Sequence, residues 1–267
     1  MQARLLPNGR LHLNDGPIDL IIGADGPPTA IRAAFAAAIA RLATVLDELC
    51  AELPLLRRQA AANAAPNGTV ARSMWHAVSR HPGFITPMAA VAGSVADAVL
   101  SVMTDAAALD RAFVNNGGDI ALHLAPGHTY AIGLVDRPDR PSLATGRIDA
   151  SGGIATSGWR GRSFSLGIAD AVTVLAADAA TADAAATVIA NAVDLPDHPA
   201  IERRPASDMQ PDSDLGHRLV TTGVGALTED EIARALDRGA DRAVALSVAG
   251  AVLRLGGQTR IIGRGRR

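Results

Sequence analysis

The chain has 267 residues with 25 basic and 27 acidic side chains, a net charge of −2, so no global field attracts nucleic acid or an anionic membrane surface. Its one cysteine, Cys50, excludes an intramolecular disulfide and a cysteine-based zinc cluster. The first residues lack the apolar segment of a secretion signal, and no run of about 18 uninterrupted apolar residues follows, so a cytoplasmic chain without membrane spans is expected, folded as one domain over 1–267.

In chain order, LHL at 11–13, the turn Asn14-Asp15-Gly16 and IDLIIGA at 18–24 predict a hairpin, the Asp-Gly pair supplying positive φ. From Pro28 to about Ala61, Ile31, Phe35, Ile39, Leu42, Val45 and Leu46 recur at helical spacing, with Pro54 kinking or splitting the helix. Residues 66–87 mix turn formers with Trp75, His76, His81 and Phe84 and show no clear period. They read as a surface connector whose aromatics cap the core, with a ligand cover as the alternative. Residues 88–106 predict a helix rich in small side chains, and 112–124 a strand, a Gly-Gly turn and a strand.

Strands follow at 129–136, 145–150 and 171–176, then a helix at 180–193. Pro, Asp and Arg between Leu195 and Asp214 predict a loop, and Thr228-Glu229-Asp230-Glu231 predicts a capped helix start. AVLRL, Gly256-Gly257 and QTRII close the chain as a hairpin, followed by a basic RGRR end that reads as a solvated tail. Without an alternating βαβ run, the expected class is α+β.

Two constellations carry chemistry. In Asn115-Asn116-Gly117-Gly118-Asp119, paired glycines let backbone approach a ligand, and Asp119 could bind a cation, a ribose hydroxyl or the turn's own amides. Asp183 and Thr187 share a helix face at i and i+4, so their oxygens could reach one ion, a donor set that Mg²⁺ accepts; helix packing is the alternative. No serine lies in a G-x-S-x-G elbow and no Walker loop is present, although a Gly-rich loop before a helix leaves phosphate binding open.

In order, GFITPMAAVAGSVADAV, NNGGDIAL, GGIATSG and ADAVTVLAADAATADAAAT resemble the superfamily of ApbE-like FAD:protein FMN transferases, over roughly 15–195, and more closely its uncharacterised branch. The resemblance implies an ApbE-like, T-fold-like arrangement of two halves, each with antiparallel sheet and packed helices. It implies Mg²⁺ held by Asp183, Thr187 and a backbone carbonyl near Val91. It also implies FAD or FMN, or a related phosphate ligand, lined by Asp97, Asn116, Gly117, Gly118, Asp119, Thr156, Ser157 and Gly158.

Where the transferases carry a lysine, this chain has Val91-Ala92-Gly93-Ser94; where they carry their histidine segment, it has WRGRSFSLGI, in which Arg160 or Arg162 could restore positive charge. The expected partner is thus a small nucleotide or phosphate ligand, with a transferase-like, Mg-dependent activity left open. Alternatives on the same fold are a reaction in sulfur assimilation and a non-catalytic oligomeric binding module, a homo-oligomer.

Overall fold

The computed structural model describes residues 1–60, 65–134 and 144–263. Nine strands form one sheet in the order β1 (Gln2–Leu5), β2 (Leu11–Asp15), β3 (Ile18–Asp25), β4 (Arg111–Asn116), β5 (Asp119–Leu124), β8 (Gly152–Ser157), β9 (Ala171–Ala176), β12 (Gly250–Leu255) and β13 (Gln258–Gly263). Every pairing within it is antiparallel. Two smaller pairs stand apart: β6 (Tyr130–Leu134) with β7 (Ala144–Ile148), and β10 (Ile201–Pro205) with β11 (Leu219–Val224).

The sheet repeats one pattern twice. Hairpin β2–β3 is followed by α1 (Pro28–Leu56), α2 (Thr69–Ser79) and α3 (Val91–Ala106), and then by hairpin β4–β5. Strands β8–β9 are followed by α4 (Ala179–Ala192), α5 (Ala206–Met209) and α6 (Glu229–Ala245), and then by hairpin β12–β13. Each half has its own core: Leu13, Leu20, Ile22 and Val114 pack with Leu42, Val45 and Met103 in the first, and Val172, Val174 and Leu253 with Ile189 and Leu236 in the second. Each such fully buried aliphatic side chain is worth about 1.5–3 kcal/mol. Alternation in the strands aims these residues at the helices. Over the middle of the opposite face, Tyr130, Ile132 and Ile148 of β6–β7 cover Leu122, Leu124 and Ile154. The architecture is α+β in two halves.

Several local expectations change. Helix α1 runs through Pro54, which sits in its last turn, and ends at Leu56; residues 61–64 lie outside the described chain. The stretch expected as a connector contains α2, whose Val70, Ala71, Met74 and Val78 bury one face. The predicted loop 195–214 holds β10 and α5, and the N-terminal residues add β1 at the sheet edge. Residues 135 and 136 of the expected strand and the RGRR end lie outside the described residues. The helix start at Thr228 is as expected: its hydroxyl accepts from the Glu231 N–H at 3.3 Å, while the Glu231 carboxylate accepts from the Thr228 N–H at 2.8 Å. Both α1 and the segment Pro87–Ala106 are long and apolar enough to cross a membrane by length and composition, yet α1 seats Ala34, Ala38, Leu42 and Val45 in the first core and α3 adds Val95, Val99 and Met103.

Glycines set the closest approaches. A Cβ on Gly153 of β8 would overlap the backbone of Asp178 and Ala179, and one on Gly93 of α3 would overlap the Ala179 carbonyl. The first residue of α4 is thus held between a strand and a helix that leave it no spare room. Gly153→Ala is therefore expected to lower stability by about 1–3 kcal/mol, whereas Gly263→Ala, which meets nothing within 4 Å, changes it by less than about 0.5 kcal/mol. Denaturant midpoints of the two variants check this.

Candidate functional site

Helix α3 begins after a 3₁₀ turn at Pro87–Ala90, and its N-cap residue Ala90 has no side chain able to accept its first N–H groups. The acceptor comes from the other half: Asp183 on α4 takes the Gly93 N–H at 3.0 Å and is also bonded by the Ala92 N–H. The reverse holds at α4. Its own N-cap, Asp178, accepts from the Thr181 N–H at 2.7 Å, while Asp97 on α3 accepts from the Ala179 and Ala180 N–H groups at 3.0 and 2.8 Å. Each helix therefore carries the aspartate that caps the other, where charge–dipole attraction adds to the hydrogen bonds.

The β4–β5 turn approaches the same place. Gly117 and Gly118 have φ of +67° and +117°, and the Asn115 side-chain oxygen accepts from the Gly118 N–H at 2.8 Å, closing the turn. The Asn116 side chain donates to the Ala92 carbonyl at 3.2 Å, tying the turn to the start of α3. Strands β5 and β8 share only the pairs Ile120–Ile154, Ala121–Gly153 and Leu122–Gly152. Beyond them the Asp119 carboxylate accepts from the Thr156 N–H at 3.2 Å, and the Thr156 hydroxyl meets that of Thr173 at 2.9 Å. Thr156 and Ser157 are the last residues of β8 rather than part of a loop, and Gly158 follows them.

Three carboxylates are crowded here. Asp183 is hemmed in by protein, and burial first, then the charge of Asp119, raises its pKa well above the carboxylate range, with Asp97 adding to the effect against the pull of the Gly93 and Ala92 N–H groups. Burial pushes Asp119 up to about 6, opposed by the Thr156 N–H and the Arg162 cation. Burial likewise raises Asp97 to about 6 against its two capping N–H groups.

The fold thus gathers Asn116, Gly117, Gly118, Asp119, Thr156 and Asp183 around the start of α3. Val91 is the first residue of that helix, and Thr187, half-buried, lies one turn beyond Asp183 on the same face of α4. Asp97 has both oxygens engaged in capping; it also lines two open depressions of about 250 and 350 Å³ beside α3, neither bordered by Gly117, Asp119, Thr156 or Asp183. No group of three or more His, Cys, Asp or Glu able to hold a metal occurs among the described residues, so a cation here would depend on hydroxyl and carbonyl oxygens beside one carboxylate. The donors present are of that kind, and the charge of Asp119 opposes the ionisation of Asp183.

The sequence reading passed over Ala92 and Gly93 as partners of Asp183 and Asn116; no local pattern links them across 90 and 24 residues.

Because the folded chain holds protons on Asp119 and Asp97 up to about pH 6, while unfolded carboxylates release them near 4, the native state binds more protons in that window and these groups cost stability as pH rises through it. The unfolding midpoint of wild type relative to Asp119→Asn is therefore expected to fall between pH about 4 and about 6, as measured by thermal denaturation. A difference that is flat or rises over this range contradicts the assignment.

Similarity to known proteins agrees with this fold. The fold resembles that of a variant of the flavin transferase ApbE from Vibrio cholerae, with a TM-score of 0.51 at 15% identity over 96% of this chain and 97% of that one. A UPF0280 protein of Archaeoglobus fulgidus is 40% identical over 100 residues, 38% of this chain and 41% of its own length. A UPF0280 protein of Methanothrix thermoacetophila is 41% identical over 127 residues, 46% of this chain and 50% of its own length, so the chain spans about half the length of the curated relatives it matches. The sequence matches the family described as AbpE bacteria over residues 3–261, from the edge strand β1 into β13 and across the whole of the cross-capped junction; the chain belongs to that ApbE-like family.

Proposed function

We propose that the chain binds a flavin nucleotide, FAD or FMN, through its phosphates, with Mg²⁺ at the junction of α3 and α4. The observation that carries this reading is the Asp183 carboxylate set against the N-terminus of α3, where it accepts from the Gly93 N–H at 3.0 Å and where the charge of Asp119 adds to burial in opposing its ionisation. A counter-charge favours the ionised form of such a carboxylate. In this reading Asp183, Thr187 and the Val91 carbonyl hold the ion, and Asn116, Gly117, Gly118, Asp119, Thr156, Ser157 and Gly158 border the nucleotide. When bound, Mg²⁺ neutralises phosphate charge. The protein's own share is positional. Gly118, with open space where a side chain would stand, lets ligand atoms approach the backbone, Asn116 fixes the turn against α3, and Asp119 holds the end of β8 in place.

FMN transfer to a protein side chain needs a group that takes the proton from the attacking hydroxyl. Between Gly158 and Ala169 the chain offers Trp159, Arg160 and Arg162 and no histidine. Binding is therefore the function proposed.

Calorimetry with FAD, with Mg²⁺ and with a chelator, tests this. Wild type is expected to bind at least about tenfold more tightly with Mg²⁺, a gain of about 1.4 kcal/mol. Asp183→Asn, which keeps shape and removes charge, is expected to lose that dependence while remaining folded. Absence of FAD binding by wild type, or an undiminished Mg²⁺ effect in the variant, rejects the reading.

A further inference from the structure

The loop between β8 and β9 carries two arginines with opposite surroundings. The Arg160 Nε donates to Asp170 at 2.6 Å and its guanidinium stacks over the Trp159 ring, 4.7 Å from the centroid. The other oxygen of Asp170 accepts from the Gly256 N–H at 2.8 Å, so Arg160 belongs to a clamp that fixes the loop to the β12–β13 turn. Its charge is spent on structure.

Arg162 has no such partner. It is exposed and forms no hydrogen bond or ion pair among the described residues. Its guanidinium rests on the β4–β5 turn, so close to Gly117 that a Cβ there would overlap the nitrogen Nη2. Gly117 is therefore a seat as well as a turn residue: its φ of +67° suits glycine, and its missing side chain leaves the space that the guanidinium occupies. The arginine lies near enough for its charge to act on Asp119, though without a salt bridge. A planar group with five donors, seated at the mouth of an anionic junction and bonded to none of its carboxylates, is suited to two oxygens of an incoming phosphate.

We propose that Arg162, seated on Gly117, is the phosphate-contacting cation of this junction, selecting ligands that carry a phosphate or diphosphate over their uncharged counterparts. This rests on the flavin-nucleotide reading. It also distinguishes the two arginines that the sequence leaves as equals. The β4–β5 turn and the β8–β9 loop, from opposite halves, then grip one anionic group, with Arg162 on one side and the cation at Asp183 on the other.

The test is calorimetry in Mg²⁺ of wild type, Arg162→Ala and Arg162→Lys against FAD, riboflavin and inorganic pyrophosphate, with thermal unfolding confirming that the exposed substitutions leave the fold intact. The expected outcome is a loss of at least tenfold in FAD and pyrophosphate affinity for Arg162→Ala, an intermediate loss for Arg162→Lys, which keeps charge but not the fork, and unchanged riboflavin binding. If wild type and Arg162→Ala bind FAD equally, the arginine assignment falls and the flavin reading stands. If wild type binds pyrophosphate but not FAD, and Arg162→Ala loses pyrophosphate, the arginine assignment stands and the flavin reading falls. Wild type binding none of the three overturns both.

Discussion

The reciprocal capping of α3 and α4 is the constraint on which the rest of the structure depends. A helix start exposes N–H groups that must find acceptors, and neither Ala90 nor Asp178 alone supplies enough of them. Asp97 and Asp183 complete the set only if the two halves meet at one separation and one angle. Gly93 and Gly153, the positions where no side chain could be added without moving Ala179, enforce the same distance sterically. Hydrogen bonding and packing therefore specify a single junction, each half supplying what the other lacks.

That junction is also where the carboxylates gather. Charge–dipole attraction favours carboxylates at helix starts, yet placing Asp183 here sets it within reach of the charges of Asp119 and Asp97, which oppose its ionisation. The protein holds this tension with protons and backbone N–H groups. Asp119 shows the economy of the design: its carboxylate replaces the β5–β8 ladder where the backbone pairing stops, and so creates the edge that a ligand would approach.

Much of this was legible in the sequence, for physical reasons. Hairpins with Asp-Gly or Gly-Gly turns, the Thr228–Glu231 capping box and the i, i+4 pair of Asp183 and Thr187 are local patterns, decided by residues within a few positions of one another. What escaped was decided at a distance. Helix α2 hides its Val70, Ala71, Met74 and Val78 face among aromatic and histidine side chains; β8 is a strand although its first residues are glycines, because only glycine fits against the start of α4. Strand β10 follows a Pro-rich stretch and exists because β11 pairs with it. The distinction between Arg160 and Arg162 needed Asp170 and Gly117 in view, which no spacing rule supplies.

The short ladder between β5 and β8 has a mechanical meaning. Three residue pairs are the main-chain ladder that joins the first five strands of the sheet to the last four, while β3–β4 and β4–β5 each register six. Sheet twist is set pair by pair, so a change in the relative twist of the halves meets least resistance at this seam. The cross-capped helices lie over it like a brace. Where the ladder is shortest, the caps that Asp97 and Asp183 exchange between α3 and α4 carry the load of alignment that main-chain pairing carries elsewhere.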